Sequence, residues 1–284
     1  MEPLIQNISD TALWVAVFRA DESERADAVF HDPLARRLAG RRGEDIANSI
    51  GFARNNSWSF VARTFLFDEF IQRHVDQGYD MVINLAAGLD TRPYRMALPP
   101  ELQWVEIDFP GILRYKQTML ENEQPVCRLR SVPLDLSDRT ARIALFKQLG
   151  AEANKILIVS EGLMIYLEPA AAGALADDLS AQASFKHWVT DLQSPGLLAM
   201  SQKEMGAAIS KDGAPFKFAP EEGEAFFGPH GWKNLESRSK LKTAATLNRL
   251  SEEMMNYAAI PEPEGPKGAF PWSGVCLFEN LRKE

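Results

Sequence analysis

Cysteine, histidine and positive charge are all scarce in this chain of 284 residues. It has two cysteines and four histidines, and the histidines show no metal-ligand spacing, so we expect neither a disulfide framework nor a metal centre. The 31 basic residues are outnumbered by 39 acidic ones, which gives a net charge of -8. Because binding to phosphate groups needs a basic surface, this balance disfavours a nucleic-acid partner.

Long apolar runs are also missing, since none approaches the ~20 residues that a membrane-spanning helix needs. The first residues are polar and lack the apolar region of a secretory signal, and two lone cysteines suit a reducing compartment. We therefore expect a cytoplasmic protein without a membrane partner. A hydrophobic content of 45% is typical of globular proteins, and the length fits one large α/β domain with insertions, or a domain plus a cap.

Short apolar runs alternate with helical segments in the middle of the chain. Five runs are predicted as strands: Met81–Ala86, Gln103–Asp108, Leu129–Leu134, Lys155–Ser160 and Lys186–Asp191. Helical segments at about 110–122, 138–149 and 169–182 separate them. This alternation predicts βαβ units and a mostly parallel, Rossmann-like sheet, and the near-continuous apolar strands predict helices on both of its faces.

The two ends of the chain follow other patterns. Residues 1–80 form a predicted N-terminal helical lid, with helices at Thr11–Ala20 and Ser57–Asp76, over a core of residues 81–284. An insertion at about 195–230 follows the fifth strand. Two more strands, at Trp232–Arg238 and Val275–Leu281, flank a predicted helix at Lys240–Tyr257 and bring the sheet to seven strands. Such a late pair suits an antiparallel edge on a parallel sheet.

Ligands of open α/β sheets bind beyond the carboxyl ends of the strands, so these ends supply the first candidate residues. The first strand leads into a turn of small residues at Gly88, which lets a ligand approach the backbone closely. The turn is not GxGxxG, because Ala86 and Ala87 precede the glycine, and this counts against a dinucleotide. An NAD-dependent oxidoreductase remains an alternative, since Asp108 would serve its ribose equally well.

Three acidic residues stand at the other strand ends. Asp108 follows the glycine turn by about 20 residues, where an acid accepts hydrogen bonds from ribose hydroxyls or caps a helix, and Glu106 is a second candidate on the same face. Asp135 is placed either to accept from an adenine amino group or to cap the next helix. Glu161 lies beside the predicted crevice, or is an exposed loop charge.

Several of these segments, in this order, resemble the leucine carboxyl methyltransferase family. They are Asn84–Arg95, Val105–Pro110 with Lys116, Asp135-Leu136 and Ser160–Leu167. Thr11–Ala20 and His31–Pro33 are similar to its bacterial branch, which is linked to polyketide O-methylation. The resemblance covers about residues 10–170 and implies a class I methyltransferase fold with S-adenosyl-L-methionine as cofactor.

The resemblance also implies roles for individual residues. Gly88 would form the cofactor turn, Asp108 would bind the ribose, Asp135 and Leu136 would flank the adenine, and Glu161 would lie near the methionine amino group. The family usually has glycine where this chain has Ala86.

Two arginines are implied at the methionine end of the cofactor. Arg63 matches the family's arginine that meets the methionine carboxylate, and its guanidinium fork can bind both carboxylate oxygens. The alternative for Arg63 is a surface charge on a helix. A further basic contact would come from Arg19, or with less support from Arg25.

The expected reaction is O-methylation of a small, largely apolar, polyketide-like metabolite at a carboxylate or an acidic hydroxyl. Methyl transfer mainly needs positioning and a dry site, and Tyr166 and His187 are weak candidates for a base, so the catalytic residues stay open. Alternatives are a protein C-terminal carboxyl methyltransferase and a non-catalytic nucleotide-binding module. The oligomeric state is also open.

Aromatic residues are concentrated in and after the predicted insertion. They are Phe216, Phe218, Phe226, Phe227 and Trp232. This segment either forms an apolar acceptor pocket or holds the insertion to the core.

Overall fold

A computed structural model describes residues 10–49, 51–209 and 215–282. The strands are β1 (Met81–Leu85), β2 (Gln103–Asp108), β3 (Arg128–Pro133), β4 (Ile156–Ser160), β5 (Phe185–Gln193), β6 (Trp232–Ser239) and β7 (Ser273–Asn280). The α-helices in these residues are α1 (Asp10–Ser23), α2 (Ala35–Ser49), α3 (Gly51–Asn55), α4 (Ser57–Asp76), α5 (Arg92–Arg95), α6 (Pro110–Met119), α7 (Arg139–Glu152), α8 (Pro169–Ser180), α9 (Pro195–Ile209), α10 (Lys240–Thr246) and α11 (Glu252–Ala258). Two 3-10 helices cover Met164–Tyr166 and Gly223–His230.

The strands form one seven-stranded sheet in the order β3-β2-β1-β4-β5-β7-β6. Strands β1 to β5 pair in parallel, whereas β7 lies between β5 and β6 and runs antiparallel to both. The strand order reverses direction between β1 and β4, which is the place where ligands of such sheets bind. The predicted Rossmann-like sheet of seven strands is therefore confirmed. Among the described helices, none is long and apolar enough to cross a lipid bilayer.

The central strands are apolar because both sheet faces are covered. Every residue of β1 and β4 is buried. One face packs against α7 and α8, with Phe146 and Leu175 in its core, and the other packs against α4 through Phe67. The N-terminal helices form a third apolar cluster, in which Trp14 and Phe18 of α1 pack against Leu38 of α2. This arrangement places α1 near the carboxyl edge of the sheet.

The predicted helix at Lys240–Tyr257 is wrong as one element, because the structure has two helices there. Asn248 has a φ of 57°, a left-handed conformation that ends α10. Ser251 then starts α11, since its side chain accepts a hydrogen bond from the Met254 amide. Asparagine tolerates the left-handed region better than most residues, which is a local signal for this break.

The aromatic segment divides between the two roles considered for it. Phe227 and Trp232 pack edge-on against Trp188 of β5, with ring centroids 4.9 Å and 5.5 Å apart. These rings hold the insertion to the sheet. Phe216 and Phe218 line the cavity at the carboxyl edge instead.

His187 lies in the first half of β5, opposite Leu157, and away from the carboxyl end of the strand. The hydroxyl of Tyr79, just before β1, is hydrogen-bonded to its Nδ1. His187 is therefore not placed to act as a base at the carboxyl edge. Burial, together with the nearby charge of His74 and the cation Arg73, lowers the pKa of the ring to about 4.

The stability of the protein is expected to fall as the pH drops from 6.5 towards 4. The unfolded chain takes up a proton at His187 near its ordinary pKa of 6.5, whereas the folded protein resists protonation down to about 4. Because solvent screens part of this effect at a partly exposed ring, we expect a loss of about 1–2 kcal/mol in unfolding free energy. Urea unfolding at neutral and acid pH measures the loss. His187→Gln should reduce this loss of unfolding free energy, whereas His31→Gln, at an exposed position, should not. Equal losses in the wild type and both variants would contradict the assignment of the effect to His187.

Candidate active site

A cavity of about 540 Å³ opens at the carboxyl edge of the sheet. Its floor is formed by the ends of β1, β2, β4 and β5 and the turns that follow them. Helix α1 and the start of α4 form one wall, and the segment after β5 forms another. The cavity therefore lies where the strand-end argument places a ligand.

The turn after β1 has an unusual backbone. Ala86 and Gly88 both have positive φ angles, 51° and 52°. A Cβ on residue 88 would lie 3.3 Å from the Cβ of Ala12 in α1, so the position favours glycine for its space as well as its conformation. The Gly88 amide donates to the Asp108 carboxylate at 2.6 Å, which fixes the turn against the end of β2.

Asp108 is 8% exposed and lines the cavity. Its second oxygen accepts from the Phe109 amide at 2.7 Å, so the carboxylate supports the backbone on both sides. Burial raises the pKa of Asp108, although these two amides oppose the rise. Its binding of a ribose stays a prediction. Glu106 is 1% exposed and paired with Lys116, and it is not among the described residues that line the cavity.

Asp135 and Leu136 also line the cavity. The expectation that Asp135 caps the next helix is wrong, because Asp138 caps α7 by accepting from the Ala141 amide at 3.0 Å. Asp135 accepts from the Ser137 amide at 2.8 Å instead, within the loop. The contact with adenine stays a prediction for this pair.

Arg63 and Glu161 meet in the wall of the cavity. Arg63 Nε donates to Glu161 at 3.0 Å, and Arg63 Nη1 lies 3.5 Å from Asp191 near the end of β5. Glu161 also binds Arg92 Nη1 at 2.8 Å, so it is neither exposed nor unpaired. Burial alone would raise the pKa of Glu161, but Arg92 and Arg63 outweigh it and hold the pKa below its usual value. Arg63 is thus a cavity residue and not a surface charge.

Arg19 lines the cavity as well. Its Nε donates to Asp32 at 2.8 Å and its Nη2 donates to the Leu89 carbonyl at 2.6 Å, which ties α1 to the turn after β1. Arg25, the weaker alternative, pairs with Asp27 on the surface at 2.9 Å. The structure therefore favours Arg19 as the residue of α1 that reaches the site.

Sequence reasoning missed three charged residues of this region, namely Arg92, Asp191 and Lys240. Asp191 ends a predicted strand, and so the strand-end rule that selected Glu161 also points to it. Lys240 follows β6 and reaches the cavity only through the folding of the C-terminal segment. Neither it nor Arg92 carries a local signal.

The cavity fits S-adenosyl-L-methionine better than a dinucleotide. Binding a pyrophosphate requires a helix N-terminus after the first strand, and α5 at that place has only four residues, Arg92–Arg95. A ribose and an amino acid moiety have suitable partners in Asp108 and in the Arg63–Glu161 pair. The chain would hold the adenosine over β2 and β3 and the methionine over β1 and β4.

The sequence profile of leucine carboxyl methyltransferase matches residues 12–180 of the chain. The chain belongs to the leucine carboxyl methyltransferase family. Curated relatives named as S-adenosyl-L-methionine-dependent methyltransferases include one from Mycobacterium sp. (strain KMS), which is 30% identical over 250 residues, 80% of this chain and 83% of the relative. The protein is an S-adenosyl-L-methionine-dependent methyltransferase, and the oxidoreductase and non-catalytic alternatives are set aside.

Solved structures share the fold of this methyltransferase at low sequence identity. A DUF574 family protein from Streptomyces avermitilis aligns with a TM-score of 0.59 at 12% identity, over 93% of this chain and 96% of the other. A protein from Thermobifida fusca, described as a methyltransferase, aligns with a TM-score of 0.57 at 14% identity, over 98% and 96% of the two chains. At these identities the likeness shows the fold, which is that of class I methyltransferases.

Arg63→Ala in this methyltransferase should weaken the binding of S-adenosyl-L-methionine far more than the binding of adenosine, because adenosine lacks the methionine carboxylate. We expect a loss of about 10- to 100-fold in affinity for the whole cofactor, the scale of a charge-assisted hydrogen bond. Arg63→Lys should rescue poorly because lysine has no planar fork. Calorimetric titration with both ligands measures the difference. Equal losses would mean that Arg63 acts through the fold, by way of Glu161 and Asp191.

Proposed function

We propose that this methyltransferase methylates an oxygen of a small, largely apolar metabolite, at a carboxylate or an acidic hydroxyl. The observation that carries the proposal is the character of the cavity beyond the expected cofactor contacts. The walls there are aromatic and aliphatic, from the lid helices and the segment after β5; they include Trp58, Phe60, Leu197, Phe216 and Phe218. Such walls suit an apolar acceptor and keep water from the reacting atoms.

The protonation chemistry of the cavity supports an acceptor that brings its own charge. The described residues that line it include no histidine. Tyr166 lines it and packs against Phe216 with a centroid distance of 5.6 Å. Burial raises the pKa of Tyr166, although a hydrogen bond with Thr11 opposes the rise, so the phenol is neutral near pH 7 and cannot take a proton from the acceptor. A carboxylate needs no base, and an acidic hydroxyl needs little help from one.

When bound, S-adenosyl-L-methionine supplies a methyl group on a sulfonium. An acceptor oxygen would take this methyl group, and the electron pair of the carbon–sulfur bond would stay with sulfur. An anionic oxygen loses no proton in this step, so the chain's task is to position the acceptor and exclude water. The apolar walls and the neutral Tyr166 are suited to that task.

An assay with labelled methyl donor tests the proposal against aromatic acids, phenols, amines and peptides ending in leucine. We expect transfer to acids or phenols and little to peptides. Transfer to amines without transfer to oxygen acceptors would overturn the proposal. Transfer only to the peptides would instead favour a protein C-terminal carboxyl methyltransferase. Loss of phenol methylation in Tyr166→Phe, with acid methylation intact, would assign a proton-transfer role to Tyr166.

A further inference from the structure

Lys240 is a buried cation without a full set of partners. The residue starts α10 and is 9% exposed, and its side chain lines the cavity. Its Nζ lies 3.8 Å from Asp191 Oδ2, which is an ion pair but too long for a hydrogen bond. Within the described residues, Nζ has no acceptor at hydrogen-bond distance. An ammonium has three donors, and leaving them unmade in a buried place is costly.

Asp191 compensates this cation only in part, because it is engaged by two other donors. One of its oxygens accepts from the Gly162 amide at 2.6 Å, and the other is shared with Arg63. Burial lowers the pKa of Lys240 to about 8, and Arg63 lowers it too, whereas Asp191 acts in the opposite sense. An anion placed beside Nζ would relieve this cost.

The place of Lys240 in the sheet shows which ligand could supply the anion. Asp108 and Asp135 follow β2 and β3, on one side of the centre, and the ribose and adenine are expected there. Lys240 follows β6 and faces Asp191 of β5, on the opposite side of Glu161. Both residues lie outside the family match at residues 12–180. This end of the cavity is the one left for the methyl acceptor.

We propose that Lys240 recognises the carboxylate of the methyl acceptor, so that the enzyme selects carboxylic acids over neutral acceptors of the same shape. The inference rests on the proposed function and narrows its acceptor class. Methylation converts the charged carboxylate into a neutral ester while the carbon–sulfur electron pair stays with sulfur, and no proton moves. The ester then loses its attraction to the ammonium, which favours release of the product.

The test uses the full chain and matched pairs of acceptors, benzoic and phenylacetic acids with benzamide and phenylacetamide, together with phenol. Lys240→Met keeps the length of the side chain and removes its charge. We expect it to lower kcat/KM for the acids by about 10- to 100-fold, mainly through KM, as for loss of a hydrogen bond to a charged group. Lys240→Arg should retain part of the preference for acids. Lys242→Met, at an exposed position of the same helix, is the control and should behave as the wild type.

One further measurement separates this role from a structural one. Affinity for S-adenosyl-L-methionine should stay within about twofold in Lys240→Met, because the lysine acts on the acceptor and not on the cofactor. If Lys240→Met folds poorly, Lys240→Gln takes its place in all of these measurements. Unchanged kinetics on the acids, or a wild-type enzyme that methylates phenol but neither acid, would overturn the inference and leave O-methylation standing. Transfer to amines alone would overturn both.

Discussion

Asp108→Ala is expected to weaken S-adenosyl-L-methionine binding by about 2–3 kcal/mol, or about 30- to 150-fold in Kd. The carboxylate faces the cavity and also holds the Gly88 amide at 2.6 Å. Its loss therefore removes a charged acceptor for the ribose and loosens the turn on which the cofactor rests. Calorimetric titration measures the affinity, and thermal unfolding reports whether the fold survives.

A matched control for this variant lies at the opposite edge of the sheet. Asp80 also accepts from two backbone amides, those of Lys155 at 2.9 Å and Asn154 at 3.1 Å. Asp80→Ala should lower stability without changing cofactor affinity, because Asp80 is not among the described cavity residues. If the wild type and Asp108→Ala bind S-adenosyl-L-methionine with similar affinity, Asp108 only supports the backbone and does not bind the cofactor.

Arg92→Met is expected to destabilise the protein by about 3–5 kcal/mol, the cost of breaking a buried ion pair from one side. The Arg92 side chain is 3% exposed and pairs with Asp68 at 2.6 Å, Asp90 at 3.2 Å and Glu161 at 2.8 Å. Methionine fills much of the same volume but leaves three carboxylates short of a partner. Denaturant unfolding measures the change.

The surface pair of Arg130 and Glu152 provides the comparison for Arg92. Its distance is 2.7 Å, but the Arg130 side chain is 42% exposed, so Arg130→Met should cost less than about 1 kcal/mol. Adding Glu161→Gln to Arg92→Met should restore part of the lost stability, because it removes one uncompensated charge. Equal effects of Arg92→Met and Arg130→Met would refute the buried network.

The cofactor side of the site could be predicted from the sequence because its signals are local. Gly88 and Asp108 stand where two apolar strands end, and parallel strands bring their carboxyl ends to one edge. The strands themselves could be predicted as well, because each is a short apolar run bounded by helical segments, and such a run is recognised without knowledge of the rest of the chain. Each of these inferences needs only the pattern within a short stretch of chain.

The other parts of the site depend on packing between distant segments. Lys240 reaches the cavity because β6 and α10 fold back beside β7, and no local pattern fixes that path. The residue type makes His187 a plausible base, but it lies near the amino end of β5, away from the carboxyl edge where the cavity opens. Arg92 starts α5, and two of its three carboxylate partners, Asp68 and Glu161, come from distant positions of the chain.

The positive φ of Ala86 bears on how freely this position can vary during evolution. A left-handed alanine costs about 1–2 kcal/mol of strain in the folded state. Alanine also lowers the conformational entropy of the unfolded chain relative to glycine, which stabilises the fold by about 0.4–1 kcal/mol. The strain is the larger of the two effects, so alanine at residue 86 is a small net cost to the fold relative to glycine. Position 88 can vary less, because a Cβ there would also be crowded by Ala12.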